Sequence, residues 1–333
     1  MRRKNTSKTF LPTNATIAVT YKCNAKCIMC NIWKNTSADL LKPEDFLKLP
    51  SSLKDVNLTG GEPFLRNDIV EIARNLTKLN SGIRLIFSSN GFLTDKIVEN
   101  MKEITKFNPK TAVGISIDGM KETHLRIRGI PNAFEKAIDT VKKLKEAGIK
   151  DLRIAFTAGN ENIHELPEVY KLAEELGVEF TMSIVHNSEN YFNIDTNLMA
   201  KTEDLEKYVN TIVNEELKYF NPRRLLRTFY LKGLIDFTKN HKRPLPCYAL
   251  GNSFFLDANG ELFPCNILET SVGNIKESSL EDIWYSEKTQ KLRNYCHTCN
   301  KCWMVCTVKD SIMQNIEKVS TKVLADKVKT MFL

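Results

Sequence analysis

Three cysteines that lie close together, directly after a short apolar run, constrain this chain more than any other feature of its sequence. Cys23, Cys27 and Cys30 follow Ile17–Thr20 with the spacing C-x3-C-x2-C. Structural zinc sites usually take four ligands in paired C-x-x-C units, whereas here the gaps are unequal and no fourth cysteine or histidine is near in sequence. Four thiolates normally hold a [4Fe–4S] cluster, so three leave one iron without a protein ligand. The spacing therefore favours an iron–sulfur cluster with one open position over a zinc knuckle or buried free thiols.

The rest of the composition suits a globular protein, which we expect in the cytoplasm. Nine cysteines in 333 residues, an odd number with no export signal before them, do not suggest a disulfide framework. Basic residues open the chain as MRRKNTSKTF without an apolar segment behind them, and no apolar run reaches the roughly 18 residues of a membrane span. Lys and Arg exceed Asp and Glu by 48 to 40, but the two signs alternate along the chain, so this balance does not require a nucleic-acid partner.

Short apolar runs alternate with amphipathic stretches through the first two-thirds of the chain. The stretches 133–147 and 166–176 each carry one apolar stripe and are followed by a glycine, as helices often are. The runs are too uniformly apolar for half-exposed strands, which predicts parallel strands buried on both faces. Six strand–helix units are fewer than a closed barrel needs, so we expect an α/β fold with an incomplete (β/α)6 TIM-type barrel. The predicted strands are Ile17–Thr20, Val56–Leu58, Leu85–Ser88, Ala112–Ile117, Leu152–Thr157 and Phe180–Val185.

Beyond about residue 200 the composition changes. Six of the nine cysteines lie between 247 and 306, together with a predicted hairpin formed by Ser253–Leu256 and Glu261–Phe263, which indicates a small metal-organised module. The tail has apolar residues at helical spacing and is predicted to pack on the protein rather than on a membrane surface. The predicted divisions are a partial barrel (14–200), a helical connection (201–240), a cysteine-rich module (241–310) and a C-terminal helix (311–333).

Polar residues follow the next three predicted strands, at the point where each strand ends. The second strand ends in Thr59-Gly60-Gly61-Glu62-Pro63, the third in Ser88-Ser89-Asn90-Gly91 and the fourth in Ser116-Ile117-Asp118-Gly119. Each alone has a structural explanation as a turn or a helix cap. Loops at the carboxyl ends of barrel strands build the site in such folds. The shared register therefore predicts that these residues and the three cysteines meet at one rim.

The cysteine loop and these strand ends together resemble the radical S-adenosylmethionine (SAM) superfamily. The resemblance implies that the open iron chelates the amino and carboxylate groups of SAM. Reduction of the cluster then cleaves SAM to a 5′-deoxyadenosyl radical, which takes hydrogen from a substrate. The hard chemistry belongs to the cofactor, while the protein orients it and excludes water.

The same resemblance implies which residues contact the methionine and adenine parts of SAM. Gly60, Gly61 and Glu62 match a motif whose backbone and carboxylate hold the methionine ammonium, and a carboxylate is the natural partner of that cation. Met29, one residue before Cys30, takes the position that lines the adenine.

Further contacts implied by the resemblance come from the third and fourth strand ends and the helix that follows. Asn90 and Ser116 match positions that contact the ribose or the carboxylate, and Arg128 resembles the arginine that pairs with the carboxylate. Asp118 and His124 are weaker candidates for SAM contacts, and His124 is equally well explained as a partly exposed structural residue.

The last four cysteines form C-x2-C-x2-C-x3-C, the spacing of bacterial ferredoxins, in which the fourth cysteine binds a different cluster from the first three. A zinc ribbon explains the C-x-x-C pairs but leaves cysteines over. The stretch from 247 to 284 also resembles the SPASM module found behind many radical SAM domains. The predicted sets are Cys296, Cys299 and Cys302 on one cluster, and Cys247, Cys265 and Cys306 on a second.

This segment departs from the usual SPASM pattern, which has a wider gap before its C-x3-C unit and a seventh cysteine. Nothing after Cys306 is cysteine. Three thiolates per cluster leave a position for another ligand, for which His297 and Asp310 are nearby candidates. Alternatively, one auxiliary cluster forms and one or two cysteines stay free. We prefer two auxiliary [4Fe–4S] clusters beside the SAM-binding one.

The leading hypothesis for function is a radical SAM oxidoreductase or maturase. It would abstract hydrogen from a peptide or a sugar- or alcohol-like substrate and pass an electron to the auxiliary clusters, giving oxidation, crosslinking or epimerisation. Its reductant would be a protein such as flavodoxin or ferredoxin. The alternatives are a non-catalytic multi-cluster electron carrier, and an RNA-modifying radical SAM enzyme suggested by the net charge of +8 and by Arg223 and Arg224.

The sequence does not identify a catalytic acid or base, nor the substrate. Weak candidates project inward from the fifth and sixth predicted strands. They are Thr157, Asn160, Asn162, Ser183 and His186.

Overall fold

The sheet at the centre of the molecule follows the predicted alternation of strands and helices. The computed structural model describes residues 10–36, 39–189 and 191–331. In this part of the chain nine strands form one sheet in the order β6-β5-β4-β3-β2-β1-β7-β8-β9. Neighbours from β6 to β7 are parallel, and the last two pairings are antiparallel. The strands are β1 (Asn14–Thr20), β2 (Asp55–Gly60), β3 (Arg84–Ser89), β4 (Thr111–Ser116), β5 (Asp151–Ala158), β6 (Glu179–Ile184), β7 (Ser253–Leu256), β8 (Glu261–Phe263) and β9 (Gly273–Asn274).

Helices connect most of the parallel strands and cover one side of the sheet. The two predicted amphipathic helices are confirmed, at Ala133–Glu146 and Leu166–Leu176, and the second ends at Gly177 in the left-handed conformation. Their apolar stripes enter the main hydrophobic core, which also contains the outward residues of the strands. The described helices are α1 (Ile69–Leu79), α2 (Thr94–Phe107), α3 (Lys121–Arg128), α4 (Ala133–Glu146), α5 (Leu166–Leu176), α6 (Thr202–Leu217), α7 (Pro222–Asn240), α8 (Leu280–Tyr285), α9 (Glu287–Thr298), α10 (Val305–Gln314) and α11 (Ile316–Met331).

The prediction that the barrel strands are buried on both faces holds for Ile17–Thr20 in β1 and for most of β4, but it was wrong for β3, β5 and β6. Buried and half-buried residues alternate along β3, β5 and β6. In β3, Leu85 and Phe87 belong to the hydrophobic core, whereas Arg84 and Ser88 line a cavity inside the barrel. The predicted runs were centred on their apolar residues, so the alternating polar positions received too little weight. The interior of this partial barrel therefore contains polar and charged side chains beside apolar ones.

The predicted hairpin exists, and one of its strands also joins the barrel sheet. Strands β7 and β8 pair antiparallel, and β7 also pairs in parallel with β1, from Asn14 opposite Ser253 to Ile17 opposite Leu256. The barrel sheet thus continues into the cysteine-rich segment. The four divisions of the chain stay predictions, and the sheet crosses the one placed after residue 240.

The predicted C-terminal helix is the second of two helices. Helix α10 ends at Gln314 and α11 begins at Ile316, where Val319 and Val323 turn into the core. Phe332 and Leu333, which the prediction included, lie outside the described residues. Within the described ranges, every helix is too short or too polar to cross a membrane.

Candidate active site

The loop that carries the first three cysteines is fixed by backbone hydrogen bonds to the end of α3. Lys26 N–H donates to the Arg128 carbonyl at 3.0 Å, and Ile28 N–H donates to the Ile127 carbonyl at 2.9 Å. The loop lies directly after β1, as the sequence predicts. Its cysteines are therefore placed by strand β1 on one side and by helix α3 on the other.

Two glycines let the end of β2 approach this loop closely. Gly61 N–H donates to the Thr20 carbonyl at 2.8 Å. A Cβ at Gly60 would lie 2.2 Å from the Thr20 carbonyl oxygen, and one at Gly61 would lie 2.1 Å from the Lys22 carbonyl oxygen. Gly60 also has φ +133°, which other residues rarely adopt. The glycine pair is needed because two backbones meet here without room for side chains.

The predicted site residues meet around one cavity of about 300 Å³ at the carboxyl ends of the strands. Nine of the ten predicted residues of the first site line it, and only Glu62 does not. The shared register of the strand ends therefore predicted their proximity correctly. The nine are Cys23, Cys27, Met29, Cys30, Gly60, Gly61, Asn90, Ser116 and Arg128.

Glu62 is fully buried, and its carboxylate binds neighbouring groups of the protein. Its Oε1 accepts hydrogen bonds from Ser89 Oγ–H at 2.9 Å and Phe64 N–H at 3.2 Å, and its Oε2 accepts one from Asn90 N–H at 2.8 Å. Burial raises the pKa of Glu62 to about 7, although these hydrogen bonds act in the opposite direction. Glu62 thus ties the end of β3 to the end of β2.

Arg128 is buried between Asp118 and the cysteine loop. Its guanidinium forms an ion pair with Asp118 and donates to Cys27 Sγ at 3.7 Å. His124 is completely buried, so the prediction of partial exposure was wrong; its Nδ1 accepts a hydrogen bond from Asp118 N–H at 3.0 Å. Burial lowers the pKa of His124 to about 3, with a smaller effect of the Arg128 cation. His124 is therefore a neutral structural acceptor.

Several inward residues that the sequence offered only weakly also reach this cavity. Thr157, Ser183 and His186 line it, whereas Asn160 and Asn162 line a neighbouring cavity. Asn162 is held by the Asp118 and Thr157 carbonyls, both at 2.9 Å, which indicates a structural role.

A segment after β6 closes over the cysteine loop, and no pattern in the sequence indicated this contact. Asn31 N–H donates to the Phe192 carbonyl at 2.7 Å, and Asn197 Nδ2–H donates to the Met29 carbonyl at 3.0 Å. The Tyr191 hydroxyl lies 3.3 Å from the Gly60 carbonyl oxygen, and its ring packs on Phe255. An aromatic residue in an irregular loop has no periodicity from which this contact could be inferred.

The six remaining cysteines form one group. Burial raises the pKa values of Cys296 and Cys306 to about 12, and the neighbouring thiolates of Cys247 and Cys302 add to both shifts. Cys302 also raises the pKa values of Cys247 and Cys265. Because Cys302 neighbours all three cysteines assigned to the other set, the two predicted sets are not separate in space.

Two protein-family models match parts of this chain. Residues 17–173 match the model of the radical SAM superfamily, and residues 247–303 match the SPASM model, an iron–sulfur cluster-binding domain. The chain belongs to the radical SAM superfamily. As a radical SAM enzyme with a SPASM domain, it uses [4Fe–4S] clusters and SAM as cofactors.

Curated relatives of this radical SAM enzyme carry names for different reactions. The chain is 27% identical to a probable GTP 3′,8-cyclase of Sulfurisphaera tokodaii, over 83% of this chain and 88% of the relative. It is 28% identical to the AdoMet-dependent heme synthase of Methanosarcina barkeri, over 85% of each chain. It is 27% identical to the antilisterial bacteriocin subtilosin biosynthesis protein AlbA of Bacillus subtilis, over 85% of this chain and 61% of AlbA.

Solved structures share the fold at low sequence identity. SuiB of Streptococcus suis bound to SAM superposes with a TM-score of 0.67 and 16% identity, over 88% of this chain and 72% of SuiB. The anSMEcpe structure with AdoMet and a peptide gives a TM-score of 0.65 and 17% identity, over 94% and 99% of the two chains. Both support the partial barrel.

The donor set at the first site of this radical SAM enzyme fits a cluster with one open iron. Burial raises the pKa of Cys23 to about 11 and of Cys30 to about 12, so both thiols need a bound cation to ionise at neutral pH. Cys306 lines the same cavity, but its thiol neighbours are Cys302 and Cys247. Among the described residues, no three Cys, His, Asp or Glu side chains are arranged to hold a single metal ion.

The SPASM segment contains a buried cation beside its cysteines. Arg243 Nη1 donates to Cys302 Sγ at 3.7 Å and to the Cys302 carbonyl at 2.7 Å, and its Nη2 donates to Ser311 Oγ at 2.9 Å. Its Nε donates to the Leu245 carbonyl at 3.2 Å. Within the described residues no carboxylate lies within ion-pair distance of it. A buried charge needs a counter-charge, and an iron–sulfur cluster bound by thiolates supplies one. Of the two other candidate ligands, Asp310 accepts hydrogen bonds from Asn14 and Asn252, and His297, which follows Cys296, packs edge-on against Tyr248.

Proposed function

We propose that this enzyme cleaves SAM reductively and abstracts a hydrogen atom from a peptide or a sugar- or alcohol-like substrate, which then gives up an electron to an auxiliary cluster. The observation that carries the proposal is the single cavity around which three cysteines and six further predicted residues meet. When bound, the first cluster and SAM supply a 5′-deoxyadenosyl radical. Loss of that electron gives oxidation or crosslinking, whereas epimerisation instead requires the substrate radical to regain a hydrogen atom, which a free thiol of the cysteine-rich segment would supply.

The residues around the cavity bind and orient SAM in this proposal. The exposed backbone at Gly60 and Gly61 receives the methionine ammonium, and Arg128 supplies a cation for the methionine carboxylate. Because the Glu62 carboxylate is occupied by Ser89, Asn90 and Phe64, we assign it a positioning role for the glycine backbone rather than a direct contact.

Electron uptake by the SPASM domain is supported by where Cys306 lies. Cys306 and Asn266 line the cavity of about 300 Å³ at the carboxyl ends of the strands, which we call the reaction cavity. Cys306 Sγ donates to Asn266 Oδ1 at 3.9 Å. Cys306 is also a neighbour of Cys302 and Cys247. The auxiliary group therefore borders the space in which the substrate radical would form.

His186 is the best-placed group to accept a proton from the substrate. Its Nδ1–H donates to the Ile184 carbonyl at 2.7 Å, which leaves the lone pair on Nε2. Nε2 is buried and has no hydrogen-bond partner among the described residues, and burial lowers the pKa of the ring. A neutral imidazole that lines the reaction cavity can take up the proton that an oxidation releases.

Two classes of substrate remain in the proposal, each with its own support. The reaction cavity adjoins an open groove of about 1110 Å³ that shares Val185 and His186 with it, and a groove of this size can hold a peptide. One relative, AlbA, is named for bacteriocin biosynthesis, which also supports a peptide substrate. The GTP cyclase and heme synthase names support a small molecule. The flavodoxin- or ferredoxin-type reductant and the cytoplasmic location stay predictions.

Anaerobic incubation with SAM and dithionite tests the proposal. We expect 5′-deoxyadenosine from the wild-type enzyme and none from Cys27→Ala, measured by liquid chromatography and mass spectrometry. Met313→Ala, which changes an exposed sulfur side chain on α10, is the control. Reduction of the clusters without SAM cleavage would contradict the proposal and support the electron carrier instead.

One of the two arginines that suggested an RNA-modifying enzyme has partners within the protein. Arg224 forms an ion pair with Glu174 at 2.8 Å and stacks on the Tyr219 ring at 4.1 Å. This arginine therefore covers a helix surface.

A further inference from the structure

Charged side chains that are not assigned to SAM lie inside the barrel. Closed barrels fill this space with apolar side chains. Here it contains a second cavity of about 340 Å³. Five charged residues lie at the end of this cavity toward the amino ends of the strands, and we call them the lumen floor. They are Asp55, Arg84, Asp151, Arg153 and Lys309.

The lumen floor is a linear chain of ion pairs with one positive charge in excess. Lys309 pairs with Asp55 at 2.9 Å, and Asp55 pairs with Arg84 at 3.3 Å. Arg84 pairs with Asp151 at 2.5 Å, and Asp151 pairs with Arg153 at 2.7 Å. The chain begins and ends on a cation, and both end residues line the cavity. Three cations thus share two carboxylates.

Arg153 has unused hydrogen-bonding capacity at the end of this chain. Its Nη2 donates to Asp151, but its buried Nε–H has no hydrogen-bond partner in the described part of the chain. Its side chain crosses Gly114, where a Cβ would lie 3.3 Å from Arg153 Cγ. Because this Nε is shielded, an anion would bind through the terminal nitrogens of the guanidinium, which can hold a carboxylate or phosphate through two hydrogen bonds.

Stability does not explain these charges. Partly exposed ion pairs add little to the free energy of folding, and a buried donor without a partner opposes folding. The side chains of the lumen floor are between a quarter and a half exposed, so their charges are accessible to a ligand.

The lumen floor communicates with the reaction cavity. Thr16, Asn57, Ser88, Thr157 and Ser183 line both cavities. Along β3, Arg84 and Ser88 are four residues apart, which corresponds to roughly 13 Å at the rise of a strand. A ligand of that length can place one end at the floor and the other beside SAM.

We propose that the lumen floor is an anion subsite that binds a carboxylate or phosphate group of the substrate, with Arg153 and Lys309 as the contacting cations. This inference rests on the proposed function and narrows it to an anionic substrate whose reacting carbon lies within roughly 13 Å of the anionic group. The bound anion supplies the third negative charge that the ion-pair chain lacks.

Calorimetric titration of the anaerobic holoenzyme with inorganic phosphate and, separately, with acetate tests the subsite. We expect saturable binding of at least one of the two, which also distinguishes a phosphate from a carboxylate subsite. Arg153→Gln and Lys309→Gln should each weaken binding by about tenfold or more, because each removes a charge-assisted hydrogen bond. Gly114→Ala should weaken it without changing any charge, since the new methyl group displaces Arg153.

The matched controls are Arg74→Gln and Lys239→Gln, which each remove an ion pair on the outer surface, with Glu103 and with Glu206. They should bind the anions as the wild type does. No binding by the wild type, or equal losses in controls and lumen variants, would overturn the subsite. Formation of 5′-deoxyadenosine is measured on the same preparations. If it is formed and no anion binds, only this inference fails, whereas its absence contradicts the proposed function.

Discussion

At the scale of single residues, the site depends on positions where a side chain would separate two backbones. Gly60 and Gly61 bring the end of β2 against the cysteine loop, and Glu62 then fixes the end of β3. Each of these residues acts through the backbone of its neighbours. The cavity is therefore shaped by packing between loops as much as by the cysteines themselves.

Gly60→Ala should prevent the first cluster from assembling. The added methyl group would lie 2.2 Å from the Thr20 carbonyl oxygen and push the cysteine loop away. Gly148→Ala is the matched control, because Gly148 also has a positive φ but has nothing within 4 Å of the place that an added methyl group would take. Gly148→Ala should lose about 1 kcal/mol of folding free energy from backbone strain, and Gly60→Ala should lose more because its methyl group also meets a backbone oxygen. Iron analysis should show a loss of about four irons only in Gly60→Ala, and equal iron in both variants would contradict the explanation.

His124 should make folding stability depend on pH. Its pKa is about 3 in the folded protein against 6.5 in the unfolded chain. The unfolded chain therefore binds the proton first, and stability falls as the pH decreases from 6.5 toward 3. The loss relative to His124→Asn, which keeps an acceptor for Asp118 N–H, should approach about 1.4 kcal/mol per pH unit. Anaerobic urea denaturation between pH 7 and about pH 5 measures the difference, and parallel curves would contradict it.

At the scale of elements, the loops at the strand ends were predictable and the surfaces between elements were not. The six barrel strands and the meeting of Gly60, Asn90 and Ser116 with the cysteines follow from local runs and from the rule that parallel strands end at one edge. The polar lumen was missed because apolar residues dominate each run, although Arg153 and Thr157 alternate with them. Tyr191 and the pairing of β7 with β1 depend on contacts between residues distant in sequence, which no local pattern encodes.

Arg243 connects the segment before β7 to α10 and should set the reduction potential of the auxiliary cluster. A cation about 7 Å from the cluster stabilises the reduced form by about 2 kcal/mol at an effective dielectric constant of 20. Arg243→Gln should therefore lower the potential, by on the order of 100 mV. Arg243→Lys keeps the charge and should lower it less. Redox titration followed by electron paramagnetic resonance measures both, and equal potentials in the wild type and Arg243→Gln would contradict the counter-ion role.

At the scale of the whole molecule, one sheet joins the SAM site to the cysteine-rich segment. Strand β7 extends the barrel beside β1, and α10 brings Cys306 to the reaction cavity and Lys309 to the lumen floor. The SAM site and the cysteine-rich segment are therefore built on one continuous sheet.

The whole molecule should hold about eight irons. The sequence favoured three clusters, but the six auxiliary cysteines form one group around Cys302, which suits a single auxiliary [4Fe–4S] cluster with remaining thiols free. Iron and sulfide analysis of anaerobically reconstituted protein measures the number. About twelve irons would contradict this assignment and restore the two auxiliary clusters that the sequence predicts.

In this proposal Cys23, Cys27 and Cys30 each bind one iron of a [4Fe–4S] cluster, and the fourth iron, which has no protein ligand, binds SAM. Electron paramagnetic resonance of the reduced enzyme, recorded with and without SAM, tests it most directly. We predict that SAM changes the signal of this cluster and that Cys27→Ala lacks the change. A signal indifferent to SAM, or zinc in place of iron at these three cysteines, would contradict the claim.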